Sequence, residues 1–302
     1  DGYAKATGKV GVAMVVPGPG ALFAAAGLGT AFASSSPVVL IAGQIPSDAD
    51  GKRLGYLHEM DEQLNSLSPL TKWGRRVESV SEIPGLLHEA LRQAKCGRPR
   101  PVQIEISPDK LAETGDVVLL SPESYSRERP DPKEVGRAAE VLSSAKRVAI
   151  IAGGGVTISG ASDALLKVAE FLQAAVITTE DSKGVIPDDH DLAGGAHYSG
   201  GGFAYATLPE CDTVLAVGTR MLLNEYETFN FAEGARLVQI DIDPREIGKN
   251  YPVDAGVLGD ADLALSDLLN ALQDRARPFE SRREEISERR ASYQTGVRAK
   301  AP

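Results

Sequence analysis

The run PVVLIAG at residues 37–43 carries no charged or polar side chain that could turn toward water. A strand of this kind is stable only when both of its faces are covered, as in a parallel sheet sandwiched between helices. Other β-rich runs fall at 10–16, 147–156, 175–180, 212–219 and 236–243, and a run at 98–107 alternates after Pro101. Between them lie helical patterns at 20–35, 83–97, 134–146 and 159–174, with Gly97 and Ser159 placed as caps. Strand–helix alternation builds parallel sheets with helices on both faces. The expected fold is α/β, with two doubly wound, mostly parallel-sheet domains.

The two domains follow from a break in that pattern. Residues 113–130 have no helical period and several prolines, and read as a linker. The first domain therefore covers 1–112 and the second 131–274, while 275–302 reads as a charged, solvated helix and a further linker. The opening DGYAKATGK reads as the end of a helix that stops at Gly8, so more chain is expected upstream. The net charge of −10 argues against nucleic-acid binding. No apolar run is long enough for a membrane helix, so no membrane partner is expected. Cys96 and Cys211 offer no disulfide framework and no zinc spacing, which suggests a reducing, cytoplasmic setting.

Three stretches draw attention for chemistry. Strand 10–16 runs into Gly18-Pro19-Gly20, which is either an ordinary turn or one that faces a bound ligand. Gly153-Gly154-Gly155 follows a strand and precedes a helix, a place where a phosphate can be held. The dinucleotide fingerprint fails there, because Ile158 stands where its last glycine belongs. Asp241 and Asp243 end a strand and either cap a following helix or bond a ribose. Among the histidines, His88 reads as structural, and His58 beside Glu59 in a long polar loop is the best candidate for a site. His190 and His197 form no metal pair with them.

Several segments together resemble the acetolactate synthase-like family of thiamine diphosphate enzymes. They are DGYAKATGKVGV, PGPGA, PVVLIAGQIP, TKW, GRPRPV, AGGGV, ISGASDALL, KGVIPDDH, AVGTR and QIDIDPREIGKNYPVD, in the family's order over nearly the whole chain. The resemblance implies a pyrimidine-binding domain over 1–112 and a central Rossmann-like domain over 131–274. A third domain, which binds the diphosphate and Mg2+, and a cofactor-activating glutamate upstream of Asp1 would lie outside this sequence. It also implies that Gly18, Pro19, Gly20, Phe23 and Gln44 face thiamine diphosphate, with His58 and Glu59 as catalytic residues. Arg98, Gly153, Gly154, Gly155, Arg220, Asp241 and Asp243 would line a possible FAD or ADP groove. A 2-keto acid or related acyl substrate and a homodimer or homotetramer are implied as well.

Phe23 stands where the family has Asn, Pro108 where acetolactate synthases have Lys, and MLLNEY replaces an acidic run that accompanies flavin. Phe23 is therefore expected to form an apolar wall beside the cofactor, with His58 supplying a proton-moving group. The implied activity is a carboligase or decarboxylase, with the isolated segment inactive. Two other readings stand beside it: a nucleotide-binding oxidoreductase or regulatory module using Gly153–Gly155, and a non-catalytic relative.

Overall fold

A computed structural model describes residues 1–196, 203–222 and 229–298. His197 and the stretch from Leu223 to Tyr226 lie outside the described residues. Residues 1–126 and 127–302 form two compact units, and each is taken by itself.

The first unit runs α1 (Gly2–Thr7), β1 (Gly11–Val15), α2 (Pro19–Ala33), β2 (Val38–Gly43), α3 (Gln63–Ser66), β3 (Trp73–Arg76), α4 (Ile83–Lys95), β4 (Val102–Ile106) and α5 (Pro108–Ala112). Its four strands are all parallel, in the order β1-β2-β4-β3. Ala21, Leu28 and Ala31 of α2 pack on Leu40 and Leu67. Ala90 and Ala94 of α4 pack on Val102, Ile104 and Ile106. A capping box between Ser79 and Glu82 opens the turn that leads into α4.

The alternation in β4 has a second meaning. Its polar residues, Gln103 and Glu105, are as buried as its apolar ones, so the strand separates an apolar layer from a buried polar layer rather than core from solvent. At one edge of the sheet, β1 leaves Val12 and Met14 exposed, and Val16 just after it is exposed too.

The second unit runs α6 (Pro132–Ser143), β5 (Val148–Ala152), α7 (Gly154–Ser159), α8 (Ser162–Leu172), β6 (Ala175–Thr178), β7 (Ala193–Ala196), α9 (Phe203–Thr207), β8 (Thr213–Val217), β9 (Arg236–Asp241), β10 (Ala255–Leu258), α10 (Ala261–Gln273) and α11 (Arg283–Arg298). The sheet is parallel throughout, in the order β10-β9-β8-β5-β6-β7. The chain reverses direction of growth between β5 and β8, the position at which such sheets open a crevice. Every residue of β5 is fully buried, and the pleat sorts them: Val148, Ile150 and Ala152 enter one core, Ala149 and Ile151 the other.

Several sequence expectations need correction. The pattern at 159–174 is helical only over α8; Ser159 is the last residue of α7, which Gly160 ends with φ +68°. Ser159 does not cap its own helix: its hydroxyl donates to Asp260 Oδ1 (2.8 Å) and accepts from the Asp262 amide (3.0 Å), so it helps to cap α10. No helix follows Asp243; residues 244–248 are turns. The strands β3, β7 and β10 were not expected. The tail is more than a solvated linker: α11 buries Ile286 and is fastened by Arg290, which donates to the carbonyls of His190 (2.7 Å) and Ala193 (2.9 Å).

Candidate cofactor site

The site in the first unit is built on the turn after β1. Gly18 has φ +54° and begins α2 as its N-cap, with Pro19 in the first turn. A Cβ on Gly18 would lie 2.6 Å from the carbonyl oxygen of His58. The glycine is thus required by the chain itself, because the 44–62 loop crosses the turn at His58. The Gly18 N–H donates to Gln63 Oε1 at 2.6 Å.

The end of β2 abuts the same turn, and a Cβ on Gly43 would come within 3.0 Å of Pro17. Gln44 follows, 3% exposed. Its Oε1 accepts the Ile45 N–H at 2.8 Å, while its Nε2 is buried with no hydrogen-bond partner among the described residues. An unpaired buried amide is costly, on the order of 1–3 kcal/mol. The side chain borders an open cavity of about 420 Å³ at the carboxyl ends of β1, β2 and β4, where Met14, Val16, Ile106, Pro108 and Leu111 supply apolar walls. One amide donor set in an apolar wall suits a flat heteroaromatic ring with a nitrogen acceptor. The residues fit the aminopyrimidine of thiamine diphosphate.

Beneath the turn lies a polar network that sequence reasoning missed. Gln63, fully buried, donates from Nε2 to the Gly43 carbonyl (3.0 Å) and to Glu105 Oε1 (2.8 Å). The other oxygen of Glu105 takes a forked pair of bonds from Arg76 Nε (3.0 Å) and Nη2 (2.9 Å), and Arg76 Nη1 binds Asp50. The only signal in the sequence is the polar alternation of β4. Nothing in DEQLNS marks Gln63 as buried.

The other expected residues of this unit are dispersed. Glu59 accepts the amides of Leu54 (3.2 Å), Gly55 (2.6 Å) and Tyr56 (2.9 Å), so its carboxylate shapes the loop. His58 is half-buried with φ +69°, and its imidazole has no hydrogen bond among the described residues. Phe23 is 84% exposed and does not line the cavity. Because α2 already begins at Pro19, Phe23 sits a full turn inside it, away from the face that Ala21 and Leu28 bury. Arg98 lies beyond the amino end of β4, where its Nε donates to Ser35 Oγ at 2.9 Å. A larger cleft of about 810 Å³ along β3 is lined by charged residues, some of them paired, such as Arg53 with Asp61 at 2.8 Å.

In the second unit, the glycines sit at the crevice between β5 and β8. Gly153 N–H donates to Val217 O (2.8 Å) and Gly155 N–H to Gly218 O (3.0 Å). A Cβ on Gly153 would lie 2.3 Å from the Gly218 oxygen, and one on Gly155 would lie 2.6 Å from Gly218 Cα. These glycines let two segments of the chain touch. Asp181 stands beside Gly154, within 3.1 Å of where its Cβ would be. Asp241 Oδ1 accepts the Asp243 amide (2.9 Å), and Asp243 holds Arg245 through Nε (2.9 Å) and Nη2 (3.0 Å). Arg220 is half-buried at the crevice, its carbonyl bonded by Asn250 (2.8 Å). Two amides already spent and a carboxylate beside the third glycine do not fit a nucleotide diphosphate.

A parallel α/β unit with an unpaired buried donor beside a cavity at the carboxyl ends of its strands, as in the first unit, is the usual setting of a cofactor site. Residues 1–66 match the family model of the thiamine pyrophosphate enzyme N-terminal TPP binding domain, and residues 135–268 match that of the thiamine pyrophosphate enzyme central domain. The chain belongs to the thiamine pyrophosphate enzymes, of which it carries these two domains. It is 38% identical over 283 residues to a "Probable acetolactate synthase large subunit" of Methanocaldococcus jannaschii, covering 90% of this chain and 47% of that one. It is 35% identical over 279 residues to a "Probable 2-ketoarginine decarboxylase" of Pseudomonas aeruginosa, covering 92% and 49%. The crystal structure of benzoylformate decarboxylase from Polynucleobacter necessarius shares the fold, with a TM-score of 0.81 at 24% identity over 92% of this chain and 52% of that one. The chain thus spans about half the length of the curated relatives it matches.

Proposed function

We propose that the full-length protein is a thiamine diphosphate-dependent carboligase or decarboxylase acting on a 2-keto acid or related acyl donor. The observation that carries this reading is Gln44 Nε2, a buried donor without a partner among the described residues, next to a glycine turn in a chain of this family. When bound, thiamine diphosphate supplies the electron sink that a departing carboxylate requires.

The chain's own residues hold and shield that ring. Gln44 Nε2 donates to a pyrimidine acceptor, and the Gly18-Pro19-Gly20 turn, packed against His58, holds the rim of the cavity at Pro17. Val16, Ile106 and Pro108 line the same cavity and exclude water from it. His58, whose carbonyl oxygen packs against Gly18, holds or moves a proton at its imidazole. Glu59 assists by fixing residues 54–56 rather than by acting on substrate. Mg2+ would accompany the diphosphate, and we place its ligands in the other half of the full-length protein. The reading includes no FAD or ADP in the second unit, because the Gly153 and Gly155 amides are already bonded to Val217 and Gly218. A homodimer or homotetramer is supported by the exposed Met14, Leu22, Phe23 and Leu57, and a cytoplasmic setting by two free cysteines.

The test is release of CO2 by the full-length protein, with thiamine diphosphate and Mg2+, from pyruvate, an aryl keto acid and a guanidino keto acid. Turnover of at least one that stops when the cofactor is withheld is expected. His58→Gln should lower kcat by roughly 10- to 1000-fold with little change in cofactor affinity. Cofactor-independent turnover, or no binding of thiamine diphosphate, overturns the reading.

A further inference from the structure

The network beneath the glycine turn ties together every element that ends at the candidate site. Gln63 spends its whole amide on three of them. Its Oε1 takes the Gly18 N–H, and its Nε2 serves the Gly43 carbonyl and Glu105. Gly43 immediately precedes Gln44, the unpaired donor, and Glu105 immediately precedes Ile106 of the cavity wall. Through Arg76, the same carboxylate reaches Asp50 at the start of the loop that carries His58.

We infer that Gln63, backed by Glu105 and Arg76, is a positioning residue that sets the Gly18-Pro19-Gly20 turn, Gln44 and the 44–62 loop as one rigid cradle for the aminopyrimidine. The inference rests on the thiamine diphosphate reading above. Its physical basis is orientation. An amide can serve as donor and acceptor at once only in one plane, so the three partners are locked to one another. A ring held by one hydrogen bond and by close backbone contact gains affinity from such pre-organisation. An apolar side chain of equal size would fill the space and leave each partner to relax separately.

The full-length protein is the object of the test. In Gln63→Leu, thiamine diphosphate Kd should rise about 10- to 100-fold. Amide hydrogen exchange of the cofactor-free protein should accelerate at least about tenfold in the 15–22 peptide, with β5 unchanged. Gln63→Glu keeps the acceptor for Gly18 but turns a donor toward Gly43 and Glu105 into a repelling oxygen. Its affinity, relative to wild type, should recover as pH falls and the new carboxyl gains a proton that it can donate. Arg76 and Asp50 are the other charges facing it, and they are common to both proteins. A side chain that merely fills space would give no such pH profile.

Gln44→Leu separates the two claims. If it raises Kd while Gln63→Leu leaves both Kd and the 15–22 exchange unchanged, the inference about Gln63 falls and the site stands. If neither variant alters Kd, the reading of the site itself falls. Should Gln63→Leu fail to fold, the pH profile of the near-isosteric Gln63→Glu decides alone, and a flat ratio to wild type overturns the inference.

Discussion

The two units share a parallel α/β plan and differ in what they bury. In the second, β5 is fully buried with apolar side chains on both faces, and two hydrophobic cores sandwich the sheet. In the first, β1 turns Val12, Met14 and Val16 outward, and the deepest layer under the site holds Gln63, Gln103 and Glu105. The second unit is stabilised by non-directional burial, which tolerates small shifts. The first adds to its two smaller apolar clusters a layer of hydrogen bonds, which fix positions but contribute only about 0.5–1.5 kcal/mol each. A unit that must hold a ring in one orientation gains from the second kind of core more than from the first.

The comparison can be broken most sharply by expressing the units separately. Residues 127–302 should unfold in one cooperative transition, whereas 1–126 should show no sharp transition and bind a hydrophobic dye. Equal cooperativity of the two in thermal scans would erase the contrast. A smaller effect is expected from single substitutions in the 1–302 chain. Ile150→Ala should cost about 2–5 kcal/mol by urea denaturation. Met14→Lys, on the exposed edge, should stay within about 0.5 kcal/mol. The reverse order would show that β1 carries core energy.

The smallest effect concerns pH. Asp109 is held below the usual carboxylate range by hydrogen bonds from the Ser47 hydroxyl (2.6 Å) and amide (2.9 Å), which pin the start of the 44–62 loop. A lowered pKa means stability that is present above the unfolded value of about 3.9 and lost as pH falls through the folded one. Proteolytic nicking of the loop should therefore be flat from about pH 5 to 8 and rise only in stronger acid. Asp109→Asn should show the faster nicking already at neutral pH. A change centred near neutrality in the wild type would assign the effect to another group.

How much of this was legible follows from the range of the forces involved. The apolar runs at β2, β5 and β8 announce buried parallel strands, because burial on two faces leaves no room for alternation. WGRR, AGGA and AGVL do not announce β3, β7 and β10: they are short, polar or glycine-rich, and they pair only because a neighbouring strand is already in place. The oddness of Gly18 is plain in the sequence. Its cause, the His58 carbonyl, lies forty positions away and is not. Phe23 was misplaced for a local reason, since one helical turn decides whether a side chain faces a cavity or water. Gln63 was invisible because a polar residue in a polar run gives no sign of burial.

The docking of α11 bears on where this chain can be cut or fused. A terminus placed after α10, where the apolar pattern ends, would remove Arg290 from the carbonyls of His190 and Ala193, and Arg282 from that of Val148 (3.2 Å). It would also strip Ile286 from the core. A tag or fusion partner joined there would sit on an exposed sheet end and invite aggregation, whereas one joined after Arg298 leaves that end covered.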